Sequence, residues 1–195
     1  MLNLGKINTK YILLLILIST VFLRLYRLDF PNKYIFDEVY HGFTAKEYLA
    51  GHKETWEYWT TPPPGVAYEW THPPLAKEIM AISMFITRSQ DGWAWRLPGV
   101  LLGTLSVYLI YLLGLKLLNQ KAALFAAFIF SIDGLNFVQS RTGMNDIYYV
   151  SFILLSLLFF LNKRFILSAI ILGLALSSKW ASIYTYLIFL PLLIK

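Results

Sequence analysis

Two acidic sites and several cations, far apart in sequence, are the residues of this chain whose types and spacing could do chemistry. Asp37 and Glu38 form an acidic pair in Phe36-Asp37-Glu38-Val39-Tyr40-His41-Gly42. Thr71-His72-Pro73-Pro74-Leu75-Ala76-Lys77-Glu78 follows, where the prolines set up a helix start and place Lys77 in its first turn. Arg96 stands in Trp95-Arg96-Leu97-Pro98, Arg141 and Asp146 bracket one polar junction, and Lys179 occupies another. A carboxylate can take the proton from an acceptor hydroxyl as it attacks an anomeric carbon, while cations stabilise the phosphate that leaves. The combination therefore suits transfer of a sugar from a lipid phosphate, and the pattern alone does not identify the sugar.

Each residue also has a plainer reading. Asp37 and Glu38 would sit at the N-terminus of an amphipathic stretch that stops at Gly51, where capping and dipole complementarity account for acidic residues as readily as function does. Lys77 is poorly placed for the helix dipole, so it is either solvated or answers to an anionic group bound at that helix N-terminus. His72 reads as a hydrogen-bonding or positioning residue, because His41, His52 and His72 have no metal-ligand spacing and the chain has no cysteine. Arg96, Arg141, Asp146 and Lys179 could each be an interfacial anchor.

The elements that must position these residues are apolar. The chain has 195 residues, 57% hydrophobic and 14% charged, with a mean hydropathy of +0.57, too apolar for a soluble domain of this length. Six candidate membrane spans follow, at about 11–23, 97–118, 122–138, 147–161, 165–178 and 181–194, several shorter than the roughly 20 residues a hydrocarbon core requires. The first reads as a retained signal anchor, since no small-residue cleavage site precedes Arg24 and Arg27. Between the first two spans lies a large loop, about 29–96, with short interfacial helices. With a cytoplasmic N-terminus and alternating spans, the inner face carries Lys6, Lys10, Lys116, Lys121, Lys163, Arg164 and Lys195, while all 11 acidic residues fall outside or near an outer end. The net charge of +6 is scattered between apolar runs, which favours membrane orientation over a nucleic-acid partner. Topology alone brings the acidic sites and cations to one membrane face. A non-catalytic carrier flippase or assembly subunit would instead distribute polar groups along a path through the bilayer, where only Asp133 could lie deep.

Phe36-Asp37-Glu38, His72-Pro73-Pro74-Leu75-Ala76-Lys77, Arg96-Leu97-Pro98, Ser140-Arg141 with Asp146, and Ser178-Lys179-Trp180 stand in the order found in the protein O-mannosyltransferases, which the chain resembles from about the first span to its end. The resemblance implies an all-α integral membrane protein, a multi-span helical bundle of the GT-C type, with residues 1–195 as the N-terminal portion of a longer transferase domain. It implies mannose transfer from a polyprenyl or dolichyl phosphate to Ser/Thr hydroxyls of an acceptor protein, with inversion, at the external face of the plasma membrane. Asp37 resembles the catalytic base and Glu38 its partner. Lys77 and Arg96 look like donor-phosphate ligands, with Arg141 and Lys179 as further members and His72 and Asp146 in support. No metal or other cofactor is implied, and a dimer is compatible with the family. A related transferase moving another sugar onto lipid A or a cell-wall glycan is the neighbouring alternative.

Overall fold

A computed structural model describes residues 9–185, 187 and 189. Eight α-helices form, with no strand among the described residues: α1 (Thr9–Leu25), α2 (His41–Ala50), α3 (Leu75–Thr87), α4 (Gly92–Leu117), α5 (Gln120–Ile132), α6 (Gly134–Gln139), α7 (Asp146–Leu161) and α8 (Phe165–Leu176). Short 3-10 turns occupy Phe36–Val39, Lys53–Trp56 and Trp180–Thr185. Local chemistry sets several boundaries. Gly51 closes α2 in the left-handed region at φ 73°, where a Cβ would be strained. The Asn119 side chain caps α5 by accepting from the backbone N–H groups of Lys121 and Ala122, both at 3.1 Å. The Asp133 carboxylate accepts from Asn136 N at 2.8 Å and starts α6. Pro98 lies inside α4 and cannot donate to the Ala94 carbonyl one turn back; the Ser83 hydroxyl of α3 takes that carbonyl at 2.6 Å, so the defect ties the two helices together.

Helix α4 is the centre of the bundle, packed against α1, α3, α5 and α7, and α7 pairs with α8. Small residues line these contacts. At Gly114 an added Cβ would come within 2.7 Å of Ala123 Cα, so α4 and α5 approach backbone to backbone. Ser106 and Ser151 share a hydrogen bond of 2.7 Å between α4 and α7. Ser156 and Ser168 join α7 to α8 through paired hydroxyl-to-carbonyl bonds of 2.8 and 2.9 Å. Leu101, Phe125, Phe128, Ile166 and Ile170 meanwhile face outward. Buried hydroxyls between helices together with exposed large apolar side chains suit lipid, where close packing and hydroxyl bonds hold helices together.

The expected spans correspond to helices, with shifted limits. Helix α4 begins at Gly92, five residues before the expected 97, and is the only described helix long and apolar enough to cross a bilayer by length and composition. Helices α5, α7 and α8 are apolar but shorter. The expected run 122–138 is broken at Asp133 into α5 and α6, because that carboxylate caps a new helix. Of 181–194, the described part is the 3-10 turn ending at Thr185 with residues 187 and 189; the remainder lies outside the described residues. The turns α4–α5 and α7–α8 meet at one end of the bundle, where Lys116 Nζ donates to Asn162 Oδ1 at 2.7 Å.

Replacing Gly114 by Leu forces α4 and α5 apart, with an expected loss of about 1–3 kcal/mol. Gly114→Leu and a control at outward-facing Leu101, Leu101→Ala, compared by unfolding in matched detergent, check this.

Candidate active site

The acidic pair divides at once. Phe36, with φ 53°, turns the chain through the left-handed region at a cost of about 1–2 kcal/mol and starts the turn that carries Asp37 and Glu38. Glu38 points inward and is 0% exposed. Its Oε1 accepts from Arg96 Nε at 2.7 Å and Gly143 N at 2.9 Å, and its Oε2 accepts from Arg96 Nη2 at 2.7 Å and Ile35 N at 3.0 Å. Arg96, 1% exposed, places its other N–H groups on the carbonyls of Leu28, Pro31 and Lys33 at 3.0–3.1 Å. All five guanidinium donors are occupied, and the carboxylate is filled on both oxygens. The pair thus joins α4, the segment after α1, the loop and the α6–α7 junction.

A second buried network lies under the Pro73-Pro74 segment. Lys77 is 0% exposed and donates to Glu69 Oε2, to the Glu69 carbonyl at 3.1 Å and to the His72 carbonyl at 3.1 Å. Glu69 Oε1 accepts from Thr71 Oγ1 and from His72 N at 3.0 Å. The anion that answers Lys77 at the start of α3 is therefore internal. Burial pushes Glu69 toward its neutral form, but hydrogen bonds from Lys77 and Thr71 and the Lys77 charge outweigh it, leaving the carboxyl below its usual range. For Lys77 burial prevails, and its affinity for the proton falls despite Glu69. His41 lies beside this pair, with Nδ1 3.8 Å from Glu69 Oε2. Burial, opposed by Glu69 and reinforced by Lys77, His72 and Lys179, holds its pKa down at about 4, so the imidazole is neutral.

Above these networks Asp37, Tyr40, His41, Tyr68, Glu69, Trp70, Thr71 and His72 line a cavity of about 330 Å³. Asp37 is half-buried and makes no side-chain hydrogen bond or ion pair with another described residue. The turn after α8 docks beside the cavity: Trp180 Nε1 donates to the Thr71 carbonyl at 2.9 Å and Leu75 N to the Ser177 carbonyl at 3.0 Å. That docking brings up Lys179, which pairs with Asp146 of α7 at 2.8 and 2.9 Å and is 22% exposed. Arg141 borders a separate cavity with Leu28, Phe30 and Phe137, and donates to the Tyr26 carbonyl at 2.6 Å.

This architecture has counterparts among known proteins. Residues 14–195 match the family described as Dolichyl-phosphate-mannose-protein mannosyltransferase. The chain belongs to this family. A polyprenol-phosphate-mannose–protein mannosyltransferase of Corynebacterium glutamicum is 35% identical over 83 residues, covering 42% of this chain and 16% of that protein. A dolichyl-phosphooligosaccharide-protein glycotransferase of Archaeoglobus fulgidus is 30% identical over 167 residues, 80% of this chain and 27% of that protein. The solved S. cerevisiae protein O-mannosyltransferase Pmt1-Pmt2 complex bound to the sugar donor superposes with a TM-score of 0.78 at 24% identity, covering 97% of this chain and 28% of its counterpart. The chain thus spans between about a sixth and somewhat over a quarter of these relatives. Membership makes it a membrane protein, and the superposition shows the shared helical fold.

Within this mannosyltransferase family fold, the structure gathers Asp37, His72, Asp146 and Lys179 around one region, with Lys77 sealed beneath it. Glu38, expected to orient the acceptor or support the loop, and Arg96, expected at the donor phosphate, are bound to each other, and Lys77 is bound to Glu69. Sequence reasoning missed Glu69 altogether and weighed His41 only as a metal ligand. The available signal was an acidic residue between two aromatics, Tyr68-Glu69-Trp70, three positions before His72 and eight before Lys77. A charge so placed is buried only if it is paired.

Arg96→Ala leaves Glu38 buried without its counter-charge and is expected to cost about 3–5 kcal/mol, measured by unfolding of the purified protein. A second expectation concerns pH. An unfolded histidine titrates near 6.5 and His41 near 4, so the unfolded state binds more protons between these values. Stability falls as pH drops through that window, by up to about 1.4 kcal/mol per pH unit from this group, and Glu69 adds a further loss as its carboxylate protonates below the ordinary acid range. Unfolding midpoints of wild type and His41→Phe between pH 7 and 4 check the His41 share, which the variant lacks.

Proposed function

We propose that the protein transfers a mannosyl group from a polyprenyl phosphate to Ser or Thr hydroxyls of an acceptor protein, with Asp37 as the base. The observation that carries the reading is the contrast within the acidic pair: Glu38 is filled by Arg96, while the Asp37 carboxylate faces a cavity with no described partner. A carboxylate left free beside a fully bonded one can take a proton from a substrate. The acceptor oxygen attacks the anomeric carbon, the bond from that carbon to the phosphate oxygen breaks, the proton passes to Asp37, and the lipid phosphate departs as an anion.

Inversion requires the phosphate to leave from the face of the sugar opposite the attacking hydroxyl. Lys179, steered by Asp146 and partly exposed beside the cavity, is the residue we assign to that anion, with Arg141 at the neighbouring cavity a further cation that a longer lipid phosphate could reach. Lys77 and Arg96, with their N–H groups occupied, hold the loop that presents Asp37 and His72. In this reading basic side chains balance the phosphate charge and no metal is needed.

The helices are read as membrane-spanning, with the loop external and the N-terminus cytoplasmic. From Arg96 to Lys116 α4 rises about 30 Å, the depth of a hydrocarbon core. At the far end Lys116, Lys121, Lys163 and Arg164 stand without an acidic residue nearby in sequence, as the positive-inside rule expects. The solved neighbour is a complex of two mannosyltransferases, and pairing with a second subunit belongs to the proposal. The archaeal relative's name specifies an oligosaccharide, whereas the family description specifies mannose, which favours a single sugar.

The test is transfer of labelled mannose from polyprenyl-phosphate-mannose to a Ser/Thr-rich peptide by membranes containing the protein. Asp37→Asn is expected to lower transfer at least about 100-fold with unchanged amount and unfolding temperature. Label appearing only in glycolipid would mark the lipid or cell-wall glycan transferase, and donor crossing the bilayer without transfer would mark a flippase.

A further inference from the structure

We propose that His41, with its tautomer set by Glu69, is a hydroxyl-reading residue of the Asp37 cavity and accepts a hydrogen bond from one hydroxyl of the transferred hexose. The proposal rests on the glycosyl-transfer reading above and adds a specificity-determining residue to it.

His41 is 6% exposed, and its Nδ1 is buried without a hydrogen-bond partner. Burying an imidazole is unfavourable unless its polar atoms are matched, and the Glu69 carboxylate is the group set opposite Nδ1. A neutral imidazole has one N–H and one lone pair. Nδ1 faces the Glu69 carboxylate at 3.8 Å, and an N–H placed there points at negative charge, whereas a lone pair would be repelled. The proton therefore belongs on Nδ1, leaving Nε2 as the acceptor at the cavity. Glu69 cannot swing away to alter this choice, because Lys77, Thr71 and His72 N hold both of its oxygens.

The rest of the wall matches a sugar better than a peptide hydroxyl. Tyr68 and Trp70 line the same cavity with ring centroids 5.4 Å apart, and Trp70 is fixed by donation from its Nε1 to the Thr55 carbonyl at 2.7 Å. Preset aromatic faces accept the C–H side of a pyranose, while carboxylate and imidazole take its hydroxyls. An acceptor Ser or Thr has one hydroxyl, and that one must meet Asp37. An acceptor atom held at a cavity wall, by contrast, can test whether one particular ring hydroxyl is present, because an analogue lacking it leaves that acceptor unpaired.

The experiment measures binding and transfer for polyprenyl-phosphate-mannose and its mono-deoxy counterparts, with wild type, His41→Phe and His41→Gln in membranes. Wild type should discriminate against one deoxy donor by about tenfold, the ratio one neutral hydrogen bond sustains. His41→Phe, which keeps a ring but has no acceptor, should lose that discrimination and retain the others, and His41→Gln, whose amide oxygen can accept, should recover part of it. If His41→Phe keeps the full penalty for every deoxy donor, or changes only the KM of the acceptor peptide, the proposal is overturned. Discrimination in binding that is lost in His41→Phe, together with no transfer to peptide by wild type, sustains the His41 subsite and defeats the protein-mannosyltransferase reading. Equal binding of all donors by wild type overturns the subsite whatever the transfer activity.

Discussion

The ion pair between Glu38 and Arg96 is the constraint on which the rest of the site depends. Two charges are withdrawn from water almost completely, which is tolerable only because every polar atom of both groups is satisfied. The bonds reach the segment after α1, the Phe36–Val39 turn, the start of α4 and Gly143 at the α6–α7 junction. One pair therefore fixes where four distant pieces of chain meet. Asp37 is the next residue along from Glu38, so its position follows from a bond that it does not make.

The Lys77–Glu69 network does the same for the second half of the loop. It fastens the Tyr68–His72 strip to the first turn of α3, and α3 is tied to α4 through Ser83 and the carbonyl that Pro98 leaves free. Two buried ion pairs thus anchor the loop on α4 from both sides of the Asp37 cavity. Between them lie the groups with spare capacity: a carboxylate, a neutral imidazole and aromatic faces. The division is physically reasonable, since a group whose valences are filled by protein gives rigidity, and only a group with an unfilled valence can serve a substrate.

Beneath the site, close backbone contact joins the buried apolar clusters in holding the bundle. Gly114 against Ala123 and the paired serines of α4, α7 and α8 let backbones approach, while Leu101, Phe125, Phe128, Ile166 and Ile170 face outward. The third expected span did not emerge as a single uninterrupted helix, because Asp133 caps a new one, while the fifth is the single helix α8, which ends at Leu176 ahead of the segment that turns to dock on Thr71. Polar side chains at helix breaks thus shape the Asp37 end of the bundle and deliver Lys179 to it.

Composition and the order of apolar runs determined by themselves that the chain is helical and that a large loop carrying Asp37 follows the first helix. These properties are carried by neighbours in sequence: hydropathy, helix stops such as Gly51, and the proline pair ahead of α3. The motif order was also enough to indicate the mannosyltransferase family. What sequence could not assign was which charge meets which. Arg96 finds Glu38 58 residues away, and Lys179 finds Asp146 33 residues away. Whether a lysine or arginine faces a substrate or another side chain depends on these distant pairings, and a linear pattern does not contain them. Only the tertiary structure decided that Glu38, Arg96 and Lys77 are closed within the protein, that Glu69 and His41 belong to the site, and that Asp37 is left open.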